Sequence, residues 1–396
     1  MAFLRERIAW FRSQQYMVRY RPYVVAVLGA YGRTLASRAI GDAIKQHKHV
    51  RVGYAVRQAV DIPQSILGFG RATQSGTFRF LAGSRMRELA EYEPDTIITE
   101  LPLLRPTFAP WAAEQILPRL LVFTHSGSQY LDTFGSMDIL LHEYLAVAKT
   151  LQKDGAVVLN GDDEHLREIA GHITSPVITY GMNEHADVRL LRAVRRGNAS
   201  GIMLTFTLHG KTFEGYFPHS TSKQHVAGVL AGIAASHAMG IDTMSALKAL
   251  EGIQAPKGSF SVREGIQGCT VIDDTAEVCP EKIISSLRSF ASLKGSGRKF
   301  AVLGDSDTLS HFSQKFHEEM GRESAHAAPI LMFVGDAMRH AQRAALQSGS
   351  HIDTHHFETS QDAAKWLPNH IQNDDLIYIA GGADMKMNRI IDRIGV

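Results

Sequence analysis

The chain has 396 residues, 42 basic and 40 acidic side chains for a net charge of +2, and 44% hydrophobic residues. This balance excludes the concentrated basic excess of a nucleic-acid-binding protein, and the composition is that of a globular chain throughout. Two cysteines, Cys269 and Cys279, exclude a disulfide framework or a cysteine-rich zinc site and fit a reducing, cytoplasmic setting. No apolar run approaches the ~18 residues of a membrane span, no signal-peptide core opens the chain, and about 150 residues per domain predicts two or three domains.

Residues 1–22 read as one amphipathic basic helix. Phe3, Leu4, Ile8, Trp10 and Phe11 mark its apolar side, Arg5, Arg7, Arg12, Arg19 and Arg21 its polar side, and Pro22 ends it. Such a helix docks on its own domain or on a protein partner, or makes weak contact with an anionic membrane surface through residues 1–21.

Next comes Val24-Val25-Ala26-Val27-Leu28, an apolar run that predicts a buried parallel strand, followed by Gly29-Ala30-Tyr31-Gly32 and a helix over Arg33–Lys45. Strand, glycine-bracketed turn and helix make a phosphate cradle, in which backbone N–H groups and a helix N-terminus converge on an anion. The P-loop pattern ends in Gly-Lys-Ser/Thr; here Gly32-Arg33-Thr34 keeps the glycine and the hydroxyl and carries arginine for lysine. A tight turn of any doubly wound fold gives the bland reading of the same stretch.

Up to Tyr180, strand-like runs (Thr96–Thr99, Leu120–Thr124, Ala156–Leu159, Pro176–Tyr180) alternate with helical periodicity (Phe108–Ile116, Met137–Leu151, Glu164–Ala170). Such alternation predicts a mostly parallel sheet covered on both faces, with ligands at the C-terminal strand ends, where Gly29–Thr34, Glu100 and Thr124–Gly127 would gather. Ile202–Leu208 and Thr212–Phe217 read as a hairpin, and Ser222–Met239 and Thr243–Leu250 as helices. Pro256-Lys257-Gly258 then reads as a domain boundary. Beyond it lie strands at Thr270–Ile272, Phe300–Leu303, Ile330–Val334, His355–Phe357 and Leu376–Ala380. Helices are expected at Pro280–Leu293, Phe312–Ala325, Ala337–Ser348, Gln361–Asn369 and Met385–Ile394. The expected fold class is α/β: a P-loop-type, mostly parallel, ATPase-like domain over 23–255 and a smaller Rossmann-like domain over 256–396, after the helix of 1–22.

The order and spacing of these motifs resemble the Mur ligase family, nearest to its D-alanyl-D-alanine-adding members. The resemblance rests on Gly29-x-x-Gly32-x-Thr34, Ile98-Thr99-Glu100, and Thr124-x-x-Gly127-x-x-x-Leu131-x-x-Phe134-Gly135-Ser136. It rests also on Val158-Leu159-Asn160-Gly161-Asp162-Asp163, Val271-Ile272-Asp273-Asp274-Thr275 before Pro280, and Ala301-Val302-Leu303-Gly304-Asp305 with His317-x-x-x-Gly321. It implies ATP- and Mg²⁺-dependent amide formation in peptidoglycan precursor metabolism. A carboxylate takes the γ-phosphoryl group and an amine attacks the acyl phosphate, between two domains that close to exclude water. Carried over residue by residue, Gly29, Gly32, Arg33 and Thr34 would hold nucleotide phosphate, Thr34 and Glu100 would hold Mg²⁺, Arg33 and Glu100 would serve catalysis, and Asp274 would hold a ribose hydroxyl. The implied partners are a nucleotide and a small cell-wall precursor.

The departures from the family pattern are many. Arg33 replaces the lysine, and a planar guanidinium is not a conservative swap at a snug phosphate site. His125 and Tyr130 stand where the family has asparagine and histidine, and Tyr144 falls at its carbamylated lysine. Ser222-Lys223-Gln224-His225-x-x-Gly228 lacks two adenine-side amides, and Ser259 stands for a nucleotide-binding arginine. Ala380-Gly381-Gly382-Ala383-Asp384-Met385 replaces a Lys-Gly-Ser-Arg-Gly-Met stretch, and the family's N-terminal UDP-binding domain has no room before Tyr23. Residues of strands and helices persist while charged and amide groups of the site do not. That pattern fits a weak or catalytically silent pseudo-ligase that binds a partner or nucleotide. A divergent enzyme, or a ligase for another acid such as a folate or polyamide, is the alternative. Each site residue also has a plain reading: Glu100 a solvated strand-end carboxylate, Asp162 and Asp163 caps of the following helix, His125 a loop histidine, and the two cysteines packing groups.

Overall fold

The computed structural model describes residues 2–53, 56–68, 94–195, 201–276, 279–305, 313–348 and 351–396. The expected helix start at Phe312 lies outside them. The first sheet contains β1 (Tyr23–Leu28), β2 (Val50–Gly53), β3 (Thr96–Glu100), β4 (Leu120–Phe123), β5 (Ala156–Asn160), β6 (Val177–Gly181), β7 (Val188–Arg195), β8 (Ile202–Leu208) and β9 (Lys211–Phe217). They run in the order β2-β3-β1-β4-β5-β6-β7-β8-β9, parallel from β2 to β7 and antiparallel from β7 to β9. The centre is β1, whose Val24–Leu28 are fully buried between two apolar layers. Val25 and Val27 face the layer of α2 (Arg33–Ile44) with helices Lys223–Ala238 and Thr243–Leu250. Val24, Ala26 and Leu28 face the layer of Phe108–Ile116 and Met137–Ala148. The period of two along the strand thus feeds both cores.

The second sheet holds β10 (Ser261–Glu264), β11 (Thr270–Asp273), β12 (Lys299–Gly304), β13 (Ile330–Val334), β14 (Asp353–Phe357) and β15 (Leu376–Ala380), in the order β10-β11-β15-β12-β13-β14. Only β10 is antiparallel to its neighbour.

Three strands were not expected from the sequence. β2 and β10 are four-residue strands at sheet edges, too short to carry a period. β7 carries Arg189, Arg192 and Arg195, and its register shifts between Leu190 and Arg192, which breaks the alternation a strand shows in sequence.

The N-terminal helix α1 (Ala2–Tyr20) docks on the first unit. Ala9, Trp10, Ser13 and Tyr16 are buried, and Trp10 meets Trp111 edge-on with ring centroids 5.0 Å apart. Phe11 and Val18 point outward, 58% and 74% exposed. Among the described residues no helix is long and apolar enough to cross a membrane.

A glycine turn with an internal ion pair

The turn after β1 is held by the turn after β4. Gly29 has φ 149°, and a Cβ there would fall 1.9 Å from the Thr124 hydroxyl oxygen, so no larger residue fits. Gly32 has φ 79° immediately before α2, the left-handed step that starts the helix. Thr124 donates its hydroxyl to the Tyr31 carbonyl at 2.7 Å, the Ala30 N–H donates to the His125 carbonyl at 2.8 Å, and the Tyr31 and His125 rings stack at 3.9 Å.

At the mouth of this turn the structure brings together Arg33, Thr34 and Glu100. β3 lies beside β1 with Val27 opposite Glu100, which delivers the carboxylate to the start of α2. Thr34 donates its hydroxyl to Glu100 Oε1 at 2.8 Å, and Arg33 Nε lies 3.9 Å from Oε2. Arg33 Nη1 donates to the Tyr130 hydroxyl at 3.2 Å. Glu100 is 1% exposed, which corrects the reading of a solvated strand-end group: the Arg33 guanidinium and the Thr34 hydroxyl lie against a buried carboxyl group, as a polar group taken out of water requires.

Thr34 and Glu100 are two oxygen donors of the kind Mg²⁺ takes, but the carboxylate is already shared with a guanidinium. Among the described residues no group of three histidine, cysteine or acidic side chains could hold a metal ion.

Around the turn, Asn160 at the end of β5 donates its amide to the Thr124 carbonyl at 2.8 Å and to His125 Nε2 at 3.0 Å, while its Oδ1 accepts from the Asp162 N–H at 3.0 Å. Asp163 caps the next helix by accepting from the Leu166 N–H, and also takes the Ser126 N–H and hydroxyl. Asp162 does not cap that helix; it accepts from the N–H groups of Met182 and Asn183. Burial pushes His125 below the ordinary imidazole range and Tyr144 well above the ordinary phenol range.

The second unit closes over one side of the turn. Cys279, buried ahead of helix Pro280–Ala291, packs with Ala30, Tyr31 and Tyr130, and Glu281 accepts from the Ser128 N–H at 3.0 Å. Gln224 donates to Ser286 Oγ at 2.9 Å, and His225 Nε2 lies 3.1 Å from the Ser259 carbonyl. Asp274 is fully buried, held by groups of the second unit. Its Oδ1 takes the Phe260 N–H at 2.9 Å and Lys282 Nζ at 2.9 Å, and its Oδ2 takes the Tyr378 hydroxyl at 2.9 Å.

The architecture and this turn define a class: a two-sheet α/β protein with a strand–glycine turn–helix cradle facing a second α/β unit. A family model for the Mur ligase middle domain matches residues 84–236, and one for the Mur ligase glutamate ligase domain matches 260–383. The chain belongs to the Mur ligase family. It is 23% identical over 381 residues to the UDP-N-acetylmuramoyl-tripeptide–D-alanyl-D-alanine ligase of Bacillus subtilis, covering 96% of this chain and 77% of that one. Its fold matches MurF of Acinetobacter baumannii with a TM-score of 0.80 at 17% identity, over 98% of this chain and 79% of that one. It matches a MurF ligase of Thermotoga maritima in complex with ADP equally, at 0.80 and 17%, over 98% and 83%.

The Asn160–His125 contact is absent from the sequence reading. The Asn-Gly-Asp-Asp run marked the loop, but nothing in it shows that the amide turns back across the sheet to the β4 turn.

Proposed function

We propose that this chain is a Mur-ligase-fold protein of cell-wall precursor metabolism that holds nucleotide phosphate weakly at the glycine turn and does not complete an ATP-driven amide bond. The observation that carries the reading is the Arg33–Glu100–Thr34 cluster. When bound, Mg²⁺ and ATP would supply charge neutralisation and a transferable phosphoryl group. Thr34 and Glu100 would hold the metal, but Glu100 already has a resident cation in Arg33, and a divalent ion beside that guanidinium meets like charge. The turn itself suits a phosphate oxygen, with its helix N-terminus and the arginine. Tyr144, a core residue, offers no amine for a carbamate, and Gln224 and His225 are spent on docking the second unit.

Asp274, engaged on both oxygens, serves the second unit's core in this reading, and residues 23–255 and 256–396 act as its two domains. The setting is the cytoplasm, where the nucleotide and precursor are met.

A working ligase is the second reading, favoured by one observation: the Thr34 hydroxyl and Glu100 carboxylate remain together at 2.8 Å. Steady-state ADP release with ATP, Mg²⁺, UDP-N-acetylmuramoyl-tripeptide and D-alanyl-D-alanine separates the two. Release at background supports the silent reading; release that needs both acid and amine supports the ligase.

A further inference from the structure

We infer that His209 and His237 form a site for one divalent transition-metal ion, held by the two imidazole Nε2 atoms and completed by water, at the end of the first unit remote from the glycine turn.

The two rings come from different elements and meet tip to tip. Nε2 of His209 lies 2.9 Å from Nε2 of His237, with ring centroids 4.8 Å apart and planes inclined at 60°. Imidazole nitrogens bind such ions at about 2.0–2.1 Å, so two of them at a right angle stand about 2.9 Å apart. The observed separation is that of two neighbouring ligands of a tetragonal or octahedral ion such as Cu²⁺ or Ni²⁺. Without an ion the pair shares one proton, one ring donating and the other accepting. On binding, the donating ring keeps its proton on Nδ1 instead, and both Nε2 lone pairs turn to the metal.

The backbone fixes both ligands in advance. His209 and Gly210 are the two residues that join β8 to β9, with Leu208 paired to Lys211 across the turn. Both have positive φ, 48° and 73°, as the tight hairpin turn requires. His237 sits in the last turn of helix Lys223–Ala238, whose inner face is buried in the first core. His209 is exposed and His237 half-buried, so an ion and its waters reach both from solvent.

The surroundings suit a cation. The last turn of a helix carries the negative end of its dipole. Val188 pairs with Leu208, which brings Asp187 alongside His209 at the strand ends. Asp187 is held by the Thr179 N–H and hydroxyl, each at 2.8 Å to Oδ2, and its charge acts on His237 from outside the pair. Burial and the neighbouring His209 still pull His237 below the ordinary imidazole range, and a neutral ring is the form that binds metal.

This place is separate from the Arg33–Thr34–Glu100 cluster. Helix Lys223–Ala238 runs alongside α2 in the same direction, with Gly228 against Leu35 and Gly232 against Ala39. Its last turn therefore lies at the far end of α2 from Gly32. His237 is also about 18 Å along the helix from His225, which meets the second unit. A bound ion would tie the β8–β9 hairpin to this helix and stabilise the folded chain.

The test titrates Ni²⁺ into the full chain with Mg²⁺ in excess. His209→Asn keeps a residue that tolerates the left-handed turn, and His237→Gln keeps a helix former. Urea midpoints without Ni²⁺ check that both variants fold. The natural protein should bind one Ni²⁺ at this site, and each substitution should weaken it about tenfold or more. Ni²⁺ should raise the urea midpoint of the natural protein and of neither variant. In ¹⁵N-histidine spectra the Nε2 signals of His209 and His237 should broaden together within the first equivalent.

Affinity unchanged in either folded variant, an unmoved urea midpoint, or broadening of one ring without the other would each overturn the inference. So would displacement of the ion by Mg²⁺, which would place it among oxygen donors such as Thr34 and Glu100.

Discussion

The hydroxyl of Tyr144 donates to the carbonyl oxygen of His125 at 3.1 Å. Tyr144 is wholly buried on helix Met137–Ala148, edge-on to Phe123 with ring centroids 5.1 Å apart. The position that resembles the family's carbamylated lysine is thus a core position that also steadies the β4 turn. Lys149, the nearest lysine along the chain, is exposed at the end of that helix. Tyr144→Phe should cost about 1 kcal/mol in urea denaturation, the net worth of one hydrogen bond. Tyr144→Lys should cost more, because it leaves an ammonium in an apolar site, and it should not raise ADP release. A Lys variant as stable as the natural protein would contradict the core assignment.

The Asp274–Lys282 pair lies in the second core, with side chains 0% and 2% exposed at 2.9 Å. Removing one partner of a buried pair typically costs about 3–5 kcal/mol. Asp274→Ala should therefore lower the denaturation midpoint strongly, whether or not nucleotide is present. Unchanged stability with weakened ADP binding would instead give Asp274 the ribose role that the resemblance implies.

Stability should fall on mild acidification. His225 Nδ1 accepts the Thr221 N–H at 3.1 Å, so Nε2–H donates to the Ser259 carbonyl, and burial holds this ring, like His125, below the ordinary imidazole range. Both rings are neutral in folded and unfolded chains at high pH. As pH drops through the unfolded value, about 6.5, the unfolded chain takes protons that the native state refuses, and stability declines toward the lower folded values. Urea midpoints that stay flat from pH 8 to about pH 5 would contradict this.

The proposed division at 255/256 predicts where proteases cut. The stretch before Ser259 exposes Glu251, Gly252, Gln254 and Lys257, and Met182 is 61% exposed in the 182–190 region. Limited proteolysis should cut first in one or the other of these places, and a cut before Ser259 should leave two resistant pieces. First cleavage within Val24–Thr34 would contradict the assigned core.

Docking of α1 through Trp10 and Tyr16 predicts that anionic vesicles do not pellet the protein at any salt concentration. Pelleting that weakens as salt screens the arginines would put Phe11 and Arg7 on a membrane surface instead.

Legibility in the sequence followed the physics of each segment. Phe108–Ile116, Thr243–Leu250 and Ile330–Val334 have the expected bounds, because each couples a clear apolar period to a turn at both ends. The meeting of Arg33, Thr34 and Glu100 followed from strand order, since parallel strands deliver their C-terminal ends to one edge. The burial of Asp274 did not, because Lys282 and Tyr378 reach it from a different helix and strand, 8 and 104 residues away. The state of the His125 ring depends on Asn160, 35 residues on, and no local pattern encodes that contact.

A phosphate-holding turn that does not activate an acid leaves ATP intact when both ligase substrates are present. The most direct measurement is the ³¹P spectrum of ATP with the natural protein in stoichiometric amount, Mg²⁺, UDP-N-acetylmuramoyl-tripeptide and D-alanyl-D-alanine. The ATP resonances should persist, and Arg33→Lys should change nothing, because Tyr130, Tyr144 and Ser259 remain in place. Growth of ADP and inorganic phosphate signals that requires both the acid and the amine would contradict it, and would make Arg33 a working substitute for the lysine of the P-loop.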